Sequence, residues 1–226
     1  RYNNEEKELL RRTIRELPNI QIRGARGMDW NVCYPQPQFD TDNVLFDLNY
    51  FKYCFLKTTE IDFHELKLEA NFRLLAKDLA MHDDVSGIES QSFMYRDFQA
   101  RNVMLDNQGN PYFIDFQGGR RGPYYYDVAS FLWQASAHYS PALRREMIGE
   151  YYDALKQYIE VPNEKTFNER LQLFVLFRTL QVLGAYGFRG RFERKKHFID
   201  SIPPAVENLR TLLSENDFPY PYLVDV

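Results

Sequence analysis

Residues 93–105 read FMYRDFQARNVML. Two apolar runs, Phe93–Tyr95 and Val103–Leu105, enclose an aspartate at 97 and an asparagine at 102. Taken alone, that spacing is an ordinary polar turn. The residues that follow change its weight. DNQGN (106–110) is a turn sequence, and PYFID (111–115) is a second short apolar run ending in a carboxylate. If 103–105 pairs with 112–114 across the turn, Asn102 and Asp115 leave the hairpin at the same end, with Asp97 on the loop leading in.

Three oxygen-bearing side chains then converge. A carboxylate and an amide oxygen form a hard-ligand set, suited to Mg²⁺ and water and not to zinc. A second carboxylate a few ångströms away can accept a proton from an attacking hydroxyl. Phosphoryl transfer needs this combination: metal neutralisation of phosphate oxygens and a positioned nucleophile, with little covalent chemistry from the protein.

On either side of the hairpin the pattern is helical. Residues 5–17 mix charges and leucines at helical spacing and meet Pro18. Residues 19–41 carry Gly24, Gly27, Pro35 and Pro37 and read as irregular. Helices are predicted over 43–57 and 62–82. In the latter Leu68, Phe72, Leu75 and Leu79 recur at three- and four-residue intervals. Beyond Pro123, helices are predicted over 124–138, 141–159, 164–186 and 203–214, with Pro141, Pro162 and Pro203–Pro204 as breaks. The expected fold class is α+β and mostly helical, with a small β-hairpin carrying the polar residues.

The assembled string YRDFQARNVML…PYFIDFQGGRRGPYYYDVASFL resembles the aminoglycoside-phosphotransferase branch of the protein-kinase-like phosphotransferases. In that branch the catalytic loop reads H-x-D-x-x-x-x-N, the metal loop I-D-[FWY], and a G-P-x-x-x-D-[LV]-A segment follows, here GPYYYDVAS (122–130). Residues 176–213 are similar to the tail of the anomeric N-acetylmuramate/N-acetylglucosamine kinases, and LFDLNYFKYCFL (45–56) resembles their acceptor-side helix. The resemblance covers about residues 40–215. It implies a C-terminal kinase lobe over 41–226, preceded by an N-terminal helix and linker over 1–40.

The resemblance also implies roles. Asp97 would be the base, with Arg101 near it to keep it ionised. Asn102 and Asp115 would ligate Mg²⁺. Asp127 would brace the catalytic loop through backbone N–H groups, or cap the helix that starts near Val128. Asp47 would face the acceptor. Tyr95 stands where the family usually has histidine, and a tyrosine can fill that supporting place and still hydrogen-bond to backbone. ATP and Mg²⁺ are the implied cofactors, and a sugar or amino sugar the implied acceptor. The alternatives are an aminoglycoside, an amino alcohol such as choline, or a non-catalytic binding or regulatory module.

A second departure concerns the nucleotide. Residues 1–94 hold no G-x-G-x-x-G and no V-A-x-K-like strand, and RGARG (23–27) lacks a flanking hairpin pattern. With Arg in place of Met at position 1, the expectation is a lobe whose nucleotide-clamping partner lies upstream, and which is inactive on its own.

Composition limits the other classes. The 226 residues carry a net charge of −4, so no basic footprint for nucleic acid is present. Two cysteines, Cys33 and Cys54, are too few for a disulfide framework or zinc cluster, which favours a reducing, cytoplasmic setting. No apolar run reads as a membrane span, and no signal-peptide pattern opens the chain. His64, His82, His138 and His197 show no metal spacing and read as surface. The basic run RGRFERKK (189–196) reads as a solvated face, and YYY (124–126) as packing.

Overall fold

The computed structural model describes residues 2–80 and 83–226. Residues 2–39 and 83–171 form one compact unit, and 40–80 and 172–226 form another. His82 lies outside the described residues.

In the first unit, α1 spans Asn4–Pro18. Its start is a capping box: Glu6 N–H donates to the Asn3 side chain at 2.9 Å, and Asn3 N–H donates to the Glu6 carboxylate at 2.7 Å. Its buried face carries Thr13, Ile14 and Leu17. Pro18 is the last residue of α1, as the sequence suggested. The chain winds on as a wide π turn over Asn19–Arg23 that buries Gln21 and Ile22. The sequence suggested an N-terminal helix followed by an irregular segment, and the helix is present. Helix α1 lies along α5 (Pro141–Leu155), with Arg15 paired to Glu150 at 2.7 Å and Arg11 paired to Glu146. The glycines and prolines that suggested a linker punctuate a folded layer.

Four short strands form two antiparallel pairs. β2 (Val103–Leu105) pairs with β3 (Pro111–Phe113) in the register Val103↔Phe113, Met104↔Tyr112 and Leu105↔Pro111. The expected hairpin is present, its second strand one residue earlier than expected. Its turn is fixed by Asp106, whose carboxylate accepts from the backbone N–H of Gln108 and Asn110, both at 2.8 Å. Gly109 sits at φ +75° in that turn. The run Phe93–Met94 is β1, and its partner is β4 (Arg120–Arg121), not the hairpin. Two arginines gave no strand signal in the sequence. α4 (Tyr125–Leu132) follows and is shorter than predicted, ending at Trp133. Tyr124, Tyr125 and Tyr126 are buried, with ring contacts to Phe167 and Phe39.

The second unit holds α2 (Thr41–Cys54), α3 (Glu65–Leu79), α7 (Lys196–Glu215) and α8 (Pro221–Asp225). α6 (Glu164–Tyr186) continues as a π turn over Gly187–Phe192. Leu68, Phe72, Leu75 and Leu79 of α3 are all fully buried, as their spacing predicted. Pro203 and Pro204 lie inside α7 instead of starting it. The first turns are held by the Phe198 ring, 5.8 Å from that of Tyr186, and the later ones by buried Ala205 and Leu212. By length and composition alone Glu164–Phe192 could cross a membrane, contrary to the sequence reading, but 61% of its apolar window is buried inside the protein, as in a core helix.

Gly184 and Gly187 let α6 and its continuation approach α2 backbone to backbone. A Cβ on Gly187 would stand 2.1 Å from the Cys54 carbonyl oxygen, and one on Gly184 would stand 2.8 Å from Phe51 N. Gly187→Ala is therefore expected to cost about 1–3 kcal/mol by overpacking. Gly149→Ala, on an exposed turn of α5 with nothing within 4 Å, should gain about 0.5–1 kcal/mol. Urea midpoints of the two variants measure the opposite signs. Equal effects would remove the close approach as the reason for Gly187.

Candidate active site

The polar residues of the hairpin do meet. Ile114 N–H donates to the Asn102 carbonyl at 3.1 Å, extending the β2–β3 ladder by one rung. That rung brings Asn102 to Asp115: Asn102 Nδ2 lies 3.4 Å from Asp115 Oδ2. The same Nδ2 donates to the Asp97 carbonyl at 2.8 Å, so one buried amide ties the loop to the hairpin end. With its nitrogen committed there, the amide presents its oxygen as the acceptor left for a ligand. Asp115 is exposed, and its other oxygen accepts from Gln117 Nε2 at 2.8 Å. Among the described residues no group of three or more His, Cys, Asp or Glu is placed to hold a metal ion. The Asn102–Asp115 pair fits a hard cation that keeps most of its water or phosphate ligands, as Mg²⁺ does.

Asp97 is half-buried on the loop. Its side chain takes one long contact, from Gln99 Nε2 at 3.4 Å. Arg101 does not join it. Its side chain is exposed, and among the described residues no ion pair links it to Asp97. The reason is local: Ala100–Asn102 form a single 3₁₀ turn that buries Asn102 and turns its neighbour outward. Ala100 N–H, in the same turn, donates to Gln134 Oε1 at 3.1 Å.

Two residues here hold backbone that L side chains rarely adopt. Arg96 has φ +75° and Asp115 has φ +69°. Both are tied down. Asp127, fully buried at the start of α4, accepts from Tyr95 N–H at 2.9 Å and Arg96 N–H at 2.8 Å. It braces the loop and does not cap its own helix, whose cap position is Tyr124. On the other side, the Tyr95 hydroxyl donates to the Ile114 carbonyl, just before Asp115. Tyr95 is buried among Phe93, Phe98 and Phe116, with ring centroids 5.6–6.5 Å away. Burial first, then Asp127, Asp115 and Asp97, push its hydroxyl up to about 12, so it is a donor at any physiological pH. Tyrosine thus carries a support that spans both strained positions. Tyr95→Phe should fill the same space while leaving that carbonyl without its donor. The expected loss is about 1 kcal/mol, read from urea denaturation. An unchanged midpoint would remove this role from the hydroxyl.

Asp47 belongs to the second unit. It is half-buried on α2 and accepts from Gln181 on α6, which in turn accepts from Arg178 at 2.6 Å. In the basic run, Arg191 donates to the Thr58 carbonyl at 2.6 Å, so part of it is structural. His64, His138 and His197 are exposed. Cys33 and Cys54 are free, and burial raises both thiols.

Gln99, Gln117 and Gln134 were not foreseen. Gln99 and Gln117 each follow a site aspartate by two residues, a spacing that would have named them had side-chain reach been considered. Gln134 carries no local signal.

The chain is similar to several known proteins. The model of the phosphotransferase enzyme family, APH, matches residues 55–160. An N-acetylmuramate/N-acetylglucosamine kinase of Neisseria meningitidis serogroup B is 26% identical over 212 residues, covering 90% of this chain and 58% of the relative. The chain thus spans less than two thirds of that relative's length. Among solved structures, choline kinase from Cryptosporidium parvum Iowa II matches 97% of this chain and 70% of its own, with a TM-score of 0.58 at 11% identity. An ethanolamine kinase of Plasmodium vivax matches 99% and 62%, with a TM-score of 0.50 at 14% identity. At these identities the structural likeness is one of fold.

Proposed function

We propose that the chain is the catalytic lobe of a small-molecule kinase, a reading supported by the match of residues 55–160 to the phosphotransferase enzyme family model. It would pass the γ-phosphoryl group of ATP to a hydroxyl, with a sugar or amino sugar as acceptor. The observation that carries this reading is the convergence of Asn102 and Asp115, 3.4 Å apart, beside a loop that presents Asp97. A binding module has no use for that trio, set beside the braced, left-handed Arg96 and including the left-handed Asp115.

The roles follow from what each group can do. Asp97 accepts the proton of the attacking hydroxyl and orients its oxygen. Asn102 and Asp115 would hold Mg²⁺, which supplies charge neutralisation to the phosphate oxygens. Tyr95 and Asp127 keep those two loops in register. Asp47, fixed by Gln181, is proposed as an acceptor-side hydrogen-bonding group. Arg101 is left without a role at Asp97. The 26% identity to the N-acetylmuramate/N-acetylglucosamine kinase supports the sugar acceptor. We further propose an upstream nucleotide-clamping lobe as partner, since residues 1–94 contain no glycine-rich strand pair, and a cytoplasmic setting, where ATP is abundant.

The test is phosphate transfer from ATP by the full-length protein to a panel of N-acetylated sugars, amino sugars, aminoglycosides, choline and ethanolamine. Transfer to the sugars, abolished by EDTA and restored by Mg²⁺, is expected. Transfer to choline or ethanolamine alone would replace the acceptor. No transfer to any, together with no Mg²⁺–ATP thermal shift, would overturn the kinase reading.

A further inference from the structure

Asp127 does not stand alone beneath the loop. Gln21, on the π turn after α1, is fully buried. Its Nε2 donates to Asp127 Oδ2 at 2.8 Å and to the Tyr124 carbonyl at 3.0 Å. Its Oε1 accepts from the Tyr151 hydroxyl on α5 at 2.6 Å. Tyr151 is also fully buried. Both ends of the Gln21 amide are therefore committed, which fixes its rotation with the nitrogen toward the carboxylate.

Every donor in this chain of contacts points the same way. Tyr151 donates to Gln21, Gln21 to Asp127, and the chain ends on an anion, the arrangement in which hydrogen bonds reinforce one another. The same carboxylate takes the N–H groups of Tyr95 and Arg96. Arg96 is the residue at φ +75°, and the next residue is Asp97. A left-handed arginine is unfavourable unless its neighbours over-determine it. If Asp127 could swing, the two N–H groups would lose their fixed acceptor and Arg96 would relax. Neither Gln21 nor Tyr151 touches the Asp97 carboxylate, whose side-chain contact is Gln99.

We infer that Gln21 and Tyr151 are positioning residues: a buried Tyr151–Gln21–Asp127 relay holds Arg96 in its left-handed conformation and so aims Asp97. The segment that looked like a linker contributes the middle member. The word positioning rests on the phosphotransferase reading; the relay's hold on the loop does not.

Two variants test it. Gln21→Met keeps the length and removes the amide, and Tyr151→Phe removes only a hydroxyl. The first readout is amide hydrogen exchange at Tyr95 and Arg96, by NMR. The second is kcat and KM for phosphate transfer by the full-length protein. Exchange at 95 and 96 should quicken about tenfold in Gln21→Met and about threefold in Tyr151→Phe, while amides of α3 stay within about twofold. kcat should fall by a similar factor with KM for the acceptor nearly unchanged. Unchanged exchange at 95 and 96 overturns the relay, as does the same quickening across the whole chain, which would mean plain loss of stability. If Gln21→Met fails to fold, Tyr151→Phe decides alone, because it leaves the packing in place. The exchange result stands whether or not any acceptor is phosphorylated, so failure of the relay and failure of the kinase reading are separate outcomes.

Discussion

Asp97→Asn in the full-length protein is expected to lower phosphate transfer by about 10²–10⁴-fold while leaving the fold almost unchanged. The size follows from the role: an amide of the same shape cannot accept the proton of the attacking hydroxyl. The small structural cost follows from the contacts. The Asp97 side chain has one long hydrogen bond, to Gln99 at 3.4 Å. The contact that anchors the loop runs from Asn102 Nδ2 to the backbone carbonyl of residue 97, which asparagine retains. A stability change within about 0.5 kcal/mol is expected, because asparagine keeps the side chain's shape and the one long contact is all that changes. Paired kcat and urea-denaturation measurements check both halves. Turnover near that of the parent would take the base role from Asp97. A large loss of stability would show that the carboxylate has a structural partner the contacts do not reveal.

The catalytic hairpin was legible in the sequence because its contacts are short in sequence as well as in space. Asn102 and Asp115 are separated by one turn, and the register of that turn is written in Asp106 and Gly109. Antiparallel pairing across that turn then puts both oxygen-bearing residues at the same end of the hairpin. Asp127 was legible for a different reason, through the spacing of GPYYYDVAS from the metal loop. What escaped the reading is what depends on distant segments. Gln21 meets Asp127 across 106 residues, and Tyr151 meets Gln21 across 130. A glutamine between two isoleucines, followed by glycines, looks like solvent-exposed loop until the partner that buries it is known. β4 escaped because its two residues are arginines, held by backbone pairing to β1 and not by apolar character. Arg101 is a different case. Adjacency to Asn102 suggested a charge beside Asp97, but a 3₁₀ turn sends neighbouring side chains in different directions. Pro203 and Pro204 escaped because packing of the turns on either side outweighs the missing backbone donors.

Asp127→Ala is the substitution expected to damage the fold most, by about 3–5 kcal/mol. The carboxylate is fully buried, and the donors to it include Tyr95 N–H, Arg96 N–H and Gln21 Nε2. Each donor left without an acceptor costs about 1–3 kcal/mol, and bonds to a charged group lie toward the upper part of that range. The full sum will not be realised. A water molecule can enter the space vacated by the carboxylate, and Arg96 can leave φ +75°, which recovers part of its backbone strain. Against a total stability of about 5–15 kcal/mol the remainder is still a large fraction. For a chain of this length each kcal/mol is worth about 2–4 °C, so the melting temperature should fall by roughly 10 °C. Relaxation of Arg96 has a second consequence. It moves the residue before Asp97, so turnover per folded molecule should fall even where denaturation shows the variant still folded. Arg96→Gly supplies the internal control, because glycine accepts a positive φ without a brace. Introduced into Asp127→Ala it should restore some stability but little turnover, since it removes the strain without restoring the hold on the loop. Recovery of both would mean that Asp127 only offsets strain at Arg96. A cost below about 1 kcal/mol for Asp127→Ala itself would mean that Tyr95 and Arg96 find other acceptors, and that the brace is dispensable.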